Sequence, residues 1–243
     1  MSQPRPSAPA GGAPDRSGRR LVELSHVIRR GMVTYPGLPG PEISDHLTRA
    51  ASREGFAPGT EFQIGRITLV ANTGTYLDTP FHRFADGVDL AGVDLGRLVD
   101  VDGLMVDASR ADRPGVGLDL LARHRVAGRA VLIRTGWDRH WGTPRYGAAG
   151  HPYLTAEAAA WLAEQRPAVV GIDSVNIDDM ADLTRPAHTV LLGDGIPIIE
   201  HLRNLGQLPP TGFRFHAPPV AVAQLGSFPV RAYAILDQPA QRP

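Results

Sequence analysis

The chain has 243 residues with 25 basic and 25 acidic side chains, so its formal charge is zero, with nine His left out. It contains no Cys, and all 25 cations are Arg; thiolate nucleophiles, disulfides, Cys-ligated zinc, Schiff-base lysines and a P-loop lysine are therefore excluded. No global field draws the chain to nucleic acid or an anionic membrane, and no stretch approaches the roughly 18 apolar residues of a spanning helix, which leaves a small molecule as the expected partner.

Residues 1–18 carry Pro, Gly, Ser and Arg without an apolar run. They read as a disordered tail that lacks the apolar core of a secretory signal, which implies a cytoplasmic protein. One domain is expected over 19–243. Strands are expected at LVELSHVI (21–28), RITLVANTG (66–74, with Ile67 and Leu69 on one face), VDGLMVDAS (101–109), AVLIRTGW (130–137), AVVGIDS (168–174), PPVAVAQL (218–225) and PVRAYAIL (229–236). Helices are expected at 118–125 and, more clearly, at 156–165, where Thr155 caps the start, Glu157 sits in the first turn and Pro167 ends the run. Gly and Pro make 49 of the 243 residues, about a fifth against a usual sum of about 12%, so turns abound. Short strands alternating with few helices give one mixed α/β domain.

Several familiar sites are missing. There is no complete G-x-G-x-x-G, no G-x-S-x-G elbow and no H-E-x-x-H, and Glu200-His201 is followed by Leu-Arg-Asn. What remains is the segment Asn72 to His82, NTGTYLDTPFH. Its Gly and Pro keep it extended or turned, so Asn72, Gly74, Tyr76 and Asp78 share a face and His82 returns to it beyond Pro80. An Asp and a His in such a turn also cap backbone groups without any catalytic role. A second cluster runs from His188 to Glu200 around a Gly-Asp-Gly turn.

Residues 72–82 match the pattern H-x-G-T-H-x-D-x-P-x-H at Gly74, Thr75, Asp78, Pro80 and His82. On this segment, with LSHVIRRGMVTYPG near the start, VLIRTGWD, VVGIDS, the His188–Glu200 segment and PVRA, the chain resembles the metal-dependent cyclase-like hydrolases, which include bacterial kynurenine formamidase and isatin hydrolase. The resemblance implies a single mixed-sheet domain of the kynurenine formamidase-like (swivelling β/β/α) type and a homodimer or higher homo-oligomer. It also implies Asp78, His188 and Glu200 as ligands of one divalent metal, Mn²⁺ or Zn²⁺, with His82 as acid/base. The family's two other ligand histidines fall on Asn72 and Tyr76, and neither an amide nor a phenol with an ordinary pKa near 10 replaces imidazole.

Three outcomes follow from that departure. One metal binds, and the protein hydrolyses a C–N (amide or lactam) or C–O bond of a small cyclic or acylated substrate. Or no metal binds, and Asp78, His82 and Tyr76 form the acid/base pocket of a cyclase, dehydratase or lyase, Tyr76 donating to a developing oxyanion. Or the protein is an inactive small-molecule binder. Tyr76 and Asn72 also admit a structural reading, in which they hydrogen-bond to each other and to Asp78. Asn72, Trp137 and Tyr146 are expected to contact substrate, the latter two from a long aromatic loop whose alternative place is the core or an interface. Asp173, at a strand end, is expected to orient His188 or His82.

Overall fold

In a computed structural model the described residues are 18–237. The expected tail over 1–18 lies outside them except for Gly18. The strands are β1 (Arg19–Glu23), β2 (Glu42–Leu47), β3 (Ile64–Thr68), β4 (Tyr76–Asp78), β5 (Val101–Asp107), β6 (Gly115–Val116), β7 (Ala130–Arg134), β8 (Tyr153–Leu154), β9 (Val169–Ile172), β10 (Ile198–Glu200), β11 (Phe213–His216), β12 (Ser227–Pro229) and β13 (Tyr233–Asp237). The helices are α1 (Arg49–Ser52), α2 (Leu118–Leu121), α3 (Ala156–Gln165) and α4 (Pro186–Gly193).

Nine strands form one mixed sheet in the order β1-β13-β11-β5-β7-β9-β10-β4-β12. Its centre, β5-β7-β9-β10, is parallel, and antiparallel pairs complete both flanks. The central strands are apolar at nearly every position because both faces are covered. Met105, Leu132, Val169 and Ile199 enter a core shared with Phe213 and Phe215, while Leu104, Val106, Val131, Ile133, Val170 and Ile172 pack against α3 and α4 on the other face. Helix α3 runs where the sequence places it. The Thr155 hydroxyl accepts from the Ala158 N–H, Leu162 is fully buried, and the chain leaves through Arg166 in the left-handed region one residue before Pro167. A Leu162→Ala truncation there costs about 2–5 kcal/mol.

Two expectations are corrected. The helix expected over 118–125 ends at Leu121, after which a turn carries the chain so that Val126 reaches the core. PPVAVAQL is irregular and mostly exposed, since two prolines withhold backbone donors; the pairing strands near it are β11, which sequence pattern did not reveal, and β12. The apolar run from His188 is the body of helix α4, which has Pro186 in its first turn, and the expected Gly-Asp-Gly turn at its end leads into β10. Strands β2 and β3 form a separate ribbon, and β3 is exposed along its whole length.

Candidate active site

The site follows from strand register. Strand β4 lies between β10 and β12, and its residues pair as Tyr76 with Glu200 and Pro229, Leu77 with Ile199 and Phe228, and Asp78 with Ile198 and Ser227. Alternation sends Leu77, Ile199 and Phe228 into one core and leaves Tyr76, Asp78, Glu200 and Ser227 on the opposite face. Directly opposed residues then bond. The Tyr76 hydroxyl donates to Glu200 Oε2 at 2.5 Å, and the Ser227 hydroxyl donates to Asp78 Oδ1. Gly226 lets this happen, because a Cβ there would lie 2.3 Å from the backbone nitrogen of His82. Gly74, at φ +71°, makes the turn into β4.

Helix α4 packs on this face and brings in His188. Its Nδ1 stands 2.6 Å from Asp178 Oδ2, and the Asp178 carboxylate also accepts the backbone N–H groups of Ala187 (2.6 Å) and His188 (3.1 Å). Asp178 thereby caps the helix start, where Arg185 offers no side-chain cap, and holds the ring so that Nε2 faces inward. That nitrogen is 3.7 Å from Asp78 Oδ2 and 3.7 Å from Glu200 Oε1. Glu200 Oε1 accepts the Ile177 N–H at 2.7 Å.

His82 sits in a short turn after Pro80, with its side chain 36% exposed. Its Nδ1 lies 2.8 Å from Ser227 Oγ and 3.7 Å from Asp78 Oδ1. Because Ser227 gives its proton to Asp78, it accepts from His82 Nδ1–H, which leaves His82 Nε2 with a lone pair.

Burial and neighbouring charges set the protonation pattern. Burial opposes charge on His188, yet the bond to Asp178 and the facing carboxylates of Asp78 and Glu200 push its pKa up to about 10. Asp78 is also opposed by burial, but His188, His82 and Ser227 hold it below the usual carboxylate range. Burial raises Glu200 to about 7 despite the attraction of His188, with Asp78 adding to the rise. Tyr76 is lifted well above 10 by burial and by the charges of Glu200 and Asp78, so it stays a protonated donor.

The donor set fits a cation. Asp78 Oδ2 is buried with no hydrogen-bond partner, His188 Nε2 facing it only at 3.7 Å, and a charged oxygen without a hydrogen bond is costly to bury. His188, fixed by a carboxylate at its other nitrogen, is oriented as metal-ligating histidines are. One donor atom from each of Asp78, His82 and His188 lies within 4.8 Å of the others, and Glu200 Oε1 borders the same point. His82, His188 and Glu200 open on a cavity of about 270 Å³ that Asn72, Tyr35 and Leu38 also line, with Asp78 fully buried beside it.

The Cyclase family model matches residues 22–179, well over half of the chain. The chain belongs to the Cyclase family. It is 26% identical over 212 residues to a kynurenine formamidase of Bacillus cytotoxicus, covering 87% of this chain and 95% of that one. It is 28% identical over 193 residues to one of Erythrobacter litoralis, covering 77% and 81%. Isatin hydrolase A from Ralstonia solanacearum superposes with a TM-score of 0.76 at 24% identity, covering 91% of this chain and 93% of that one. The fold of this Cyclase-family chain is thus the single mixed-sheet domain the resemblance implied.

Within the family member's site, Asp78, His82, His188, Glu200, Tyr76 and Asn72 converge. Asn72 lines the cavity with Tyr76, whose hydroxyl bonds Glu200 rather than Asp78. Three other expected site residues stand apart from the cavity. Trp137 is buried, its indole N–H donating to the Tyr146 carbonyl at 2.9 Å, and the Tyr146 hydroxyl meets His201 Nδ1 at 2.8 Å. Both pack with Val175 and Trp141, and neither lines the cavity, because a large aromatic surface gains most by leaving water. Asp173 accepts from the Thr135 N–H and hydroxyl and from the Gly136 N–H, so it braces the β7 exit, and Asp178 orients His188 instead. Sequence reasoning missed Ser227, Tyr35 and Leu38. Ser227 had only its register opposite Asp78 to mark it, and no local spacing signals Tyr35 or Leu38.

Proposed function

We propose that this chain hydrolyses a C–N bond, amide or lactam, or a C–O bond of a small cyclic or acylated substrate, with at most one divalent cation. The observation that carries the reading is the buried, unpartnered Asp78 Oδ2 facing His188 Nε2 at 3.7 Å. The formamidases and hydrolases among its relatives support C–N cleavage. Asp78, His188 and Glu200 would hold the cation, and two carboxylates with one imidazole suit Mn²⁺ or Zn²⁺. When bound, it supplies polarisation of the scissile carbonyl and a lowered pKa for water.

The remaining work falls to the chain's own groups. His82 exchanges a proton through Nε2, first taking it from water and then delivering it to the leaving nitrogen or oxygen, while Ser227 holds Nδ1–H and so keeps the tautomer. Tyr76 fixes Glu200. With its hydroxyl so engaged it is a poor donor to an oxyanion, and no observation favours the metal-free lyase reading. A homo-oligomer in the cytoplasm belongs to the same proposal, its oligomeric part supported by the apolar side chains exposed around the β2–β3 ribbon, Phe56, Phe62, Ile64 and Ile67. Among the described residues no helix is long and apolar enough to cross a membrane.

The test is an assay of aryl formamides and an aryl lactam with Mn²⁺ or Zn²⁺ supplied. Turnover is expected, reduced roughly 10²–10⁴-fold in His82→Ala with the fold intact. No turnover with either ion, or full activity in the variant, contradicts the reading.

A further inference from the structure

The cavity floor is anionic and its wall is not. Its carboxylates are Glu200, which lines it, and Asp78 and Asp178, buried behind His188, all three facing His188 or backbone donors. Arg83 and Arg185 line the same cavity. Among the described residues neither guanidinium is within ion-pair distance of a carboxylate, although Asp182 feels the charge of Arg185 from farther away.

Their contacts are with neutral groups, and they are long. Arg185 Nη1 donates to Asn176 Oδ1 at 3.5 Å and to the Asp179 carbonyl at 3.3 Å. Arg83 Nε donates to Thr189 Oγ1 at 3.4 Å, and its guanidinium carbon lies 5.3 Å over the Phe84 ring. Charge-assisted Arg bonds run about 2.7–2.9 Å, and each guanidinium has five N–H donors. Both side chains are therefore held at one edge with most donors uncommitted. The start of α4 cannot serve an anion in their place, because Asp178 already takes its N–H groups.

We propose that the substrate carries a carboxylate in addition to the bond that is cleaved, and that Arg83 and Arg185 bind it. The inference rests on the hydrolase reading and narrows its substrate class. With a dication offsetting two of the three carboxylates beneath it, the cavity's two guanidiniums make it attractive to an anion, and a planar two-oxygen group matches the guanidinium fork. At about 270 Å³ the cavity lies just below the roughly 300–1,000 Å³ of ordinary ligand sites. One small molecule thus reaches both the floor and the arginines.

The experiment compares 3-formamidobenzoate with 3-formamidobenzamide, a matched pair differing only in charge, with Mn²⁺ or Zn²⁺ supplied. Wild type should prefer the carboxylate by at least about tenfold in kcat/KM, with the difference in KM. The double variant Arg83→Gln with Arg185→Gln should bring the ratio near one, whereas Arg110→Gln, on a different surface hollow, should keep it. A ratio near one in wild type, or a ratio that survives the double variant, overturns the proposal. If neither compound is turned over, the hydrolase reading fails separately, and calorimetric titration with benzenesulfonate and benzenesulfonamide decides the anion claim. Tighter sulfonate binding in wild type but not in the double variant upholds it, and equal binding overturns it.

Discussion

Two regions of this molecule bring polar and aromatic side chains together near the same end of the sheet. In the first, β4 with its neighbours, Tyr76, Asp78 and Glu200 are buried, yet Tyr76 and Glu200 line an open cavity. In the second, Trp137, Tyr146 and His201 are as deeply buried but close on one another. Each region keeps an unpartnered atom, Asp78 Oδ2 in one and His201 Nε2 in the other. The two differ in charge. Burial pushes His201 down to about 3, so its free nitrogen belongs to a neutral ring, whereas Asp78 is held ionised by His188. A buried neutral nitrogen without a partner is a modest cost; an ionised oxygen in the same state calls for a cation. Residue type alone does not separate structural from chemical clusters, but an ionised atom left without a hydrogen bond does.

Breaking the second region should cost stability and little else. Trp137→Ala is expected to lower unfolding free energy by about 3–5 kcal/mol in denaturant titrations, with KM nearly unchanged; a large KM rise at small stability loss would put Trp137 against substrate after all. In the first region, Asp178→Asn turns an amide N–H toward His188 Nδ1 and shifts the ring proton to Nε2. Cation affinity should fall roughly 10–100-fold by competitive chelator titration, and an unchanged affinity would remove Asp178 from the account. Tyr76→Phe leaves Glu200 Oε2 without its donor and should cost about 1–3 kcal/mol of stability, with kcat reduced less than tenfold. A loss as deep as that of His82→Ala would make Tyr76 a catalytic group.

Stability should also depend on pH. Burial raises Asp173 from 3.8 to about 7, against the donors of Thr135 and Gly136. A carboxyl that binds its proton more tightly when folded adds stability below its unfolded pKa, and this is lost as pH rises through the folded one. The stability of wild type relative to Asp173→Asn should therefore fall between about pH 4 and pH 7 and level off above; a difference independent of pH contradicts the burial argument.

The legible parts of the chain were those written in local pattern. Helix α3 shows its cap and stop within a dozen residues, and β5, β7 and β9 show as apolar runs. In the site, Tyr76, Asp78 and His82 lie within seven residues, so their shared face follows from alternation and a Pro turn. What stayed hidden depends on pairing between distant segments. Ser227 matters because it falls opposite Asp78 across 149 residues, and Asp178 displaces Asp173 as the partner of His188 only once α4 docks on the sheet. Trp137 and Tyr146 were misplaced because a Gly-rich aromatic loop has the same composition whether it lines a pocket or folds back into the core.

The central claim is that Asp78, His188 and Glu200 hold one divalent cation. Elemental analysis of the protein purified without chelator, and again after Mn²⁺ or Zn²⁺ is supplied, tests it beside His188→Ala under the same treatment. The account predicts about one ion per chain in wild type and its loss in the variant. No bound ion in wild type after both metals are offered, or undiminished binding in the variant, contradicts it.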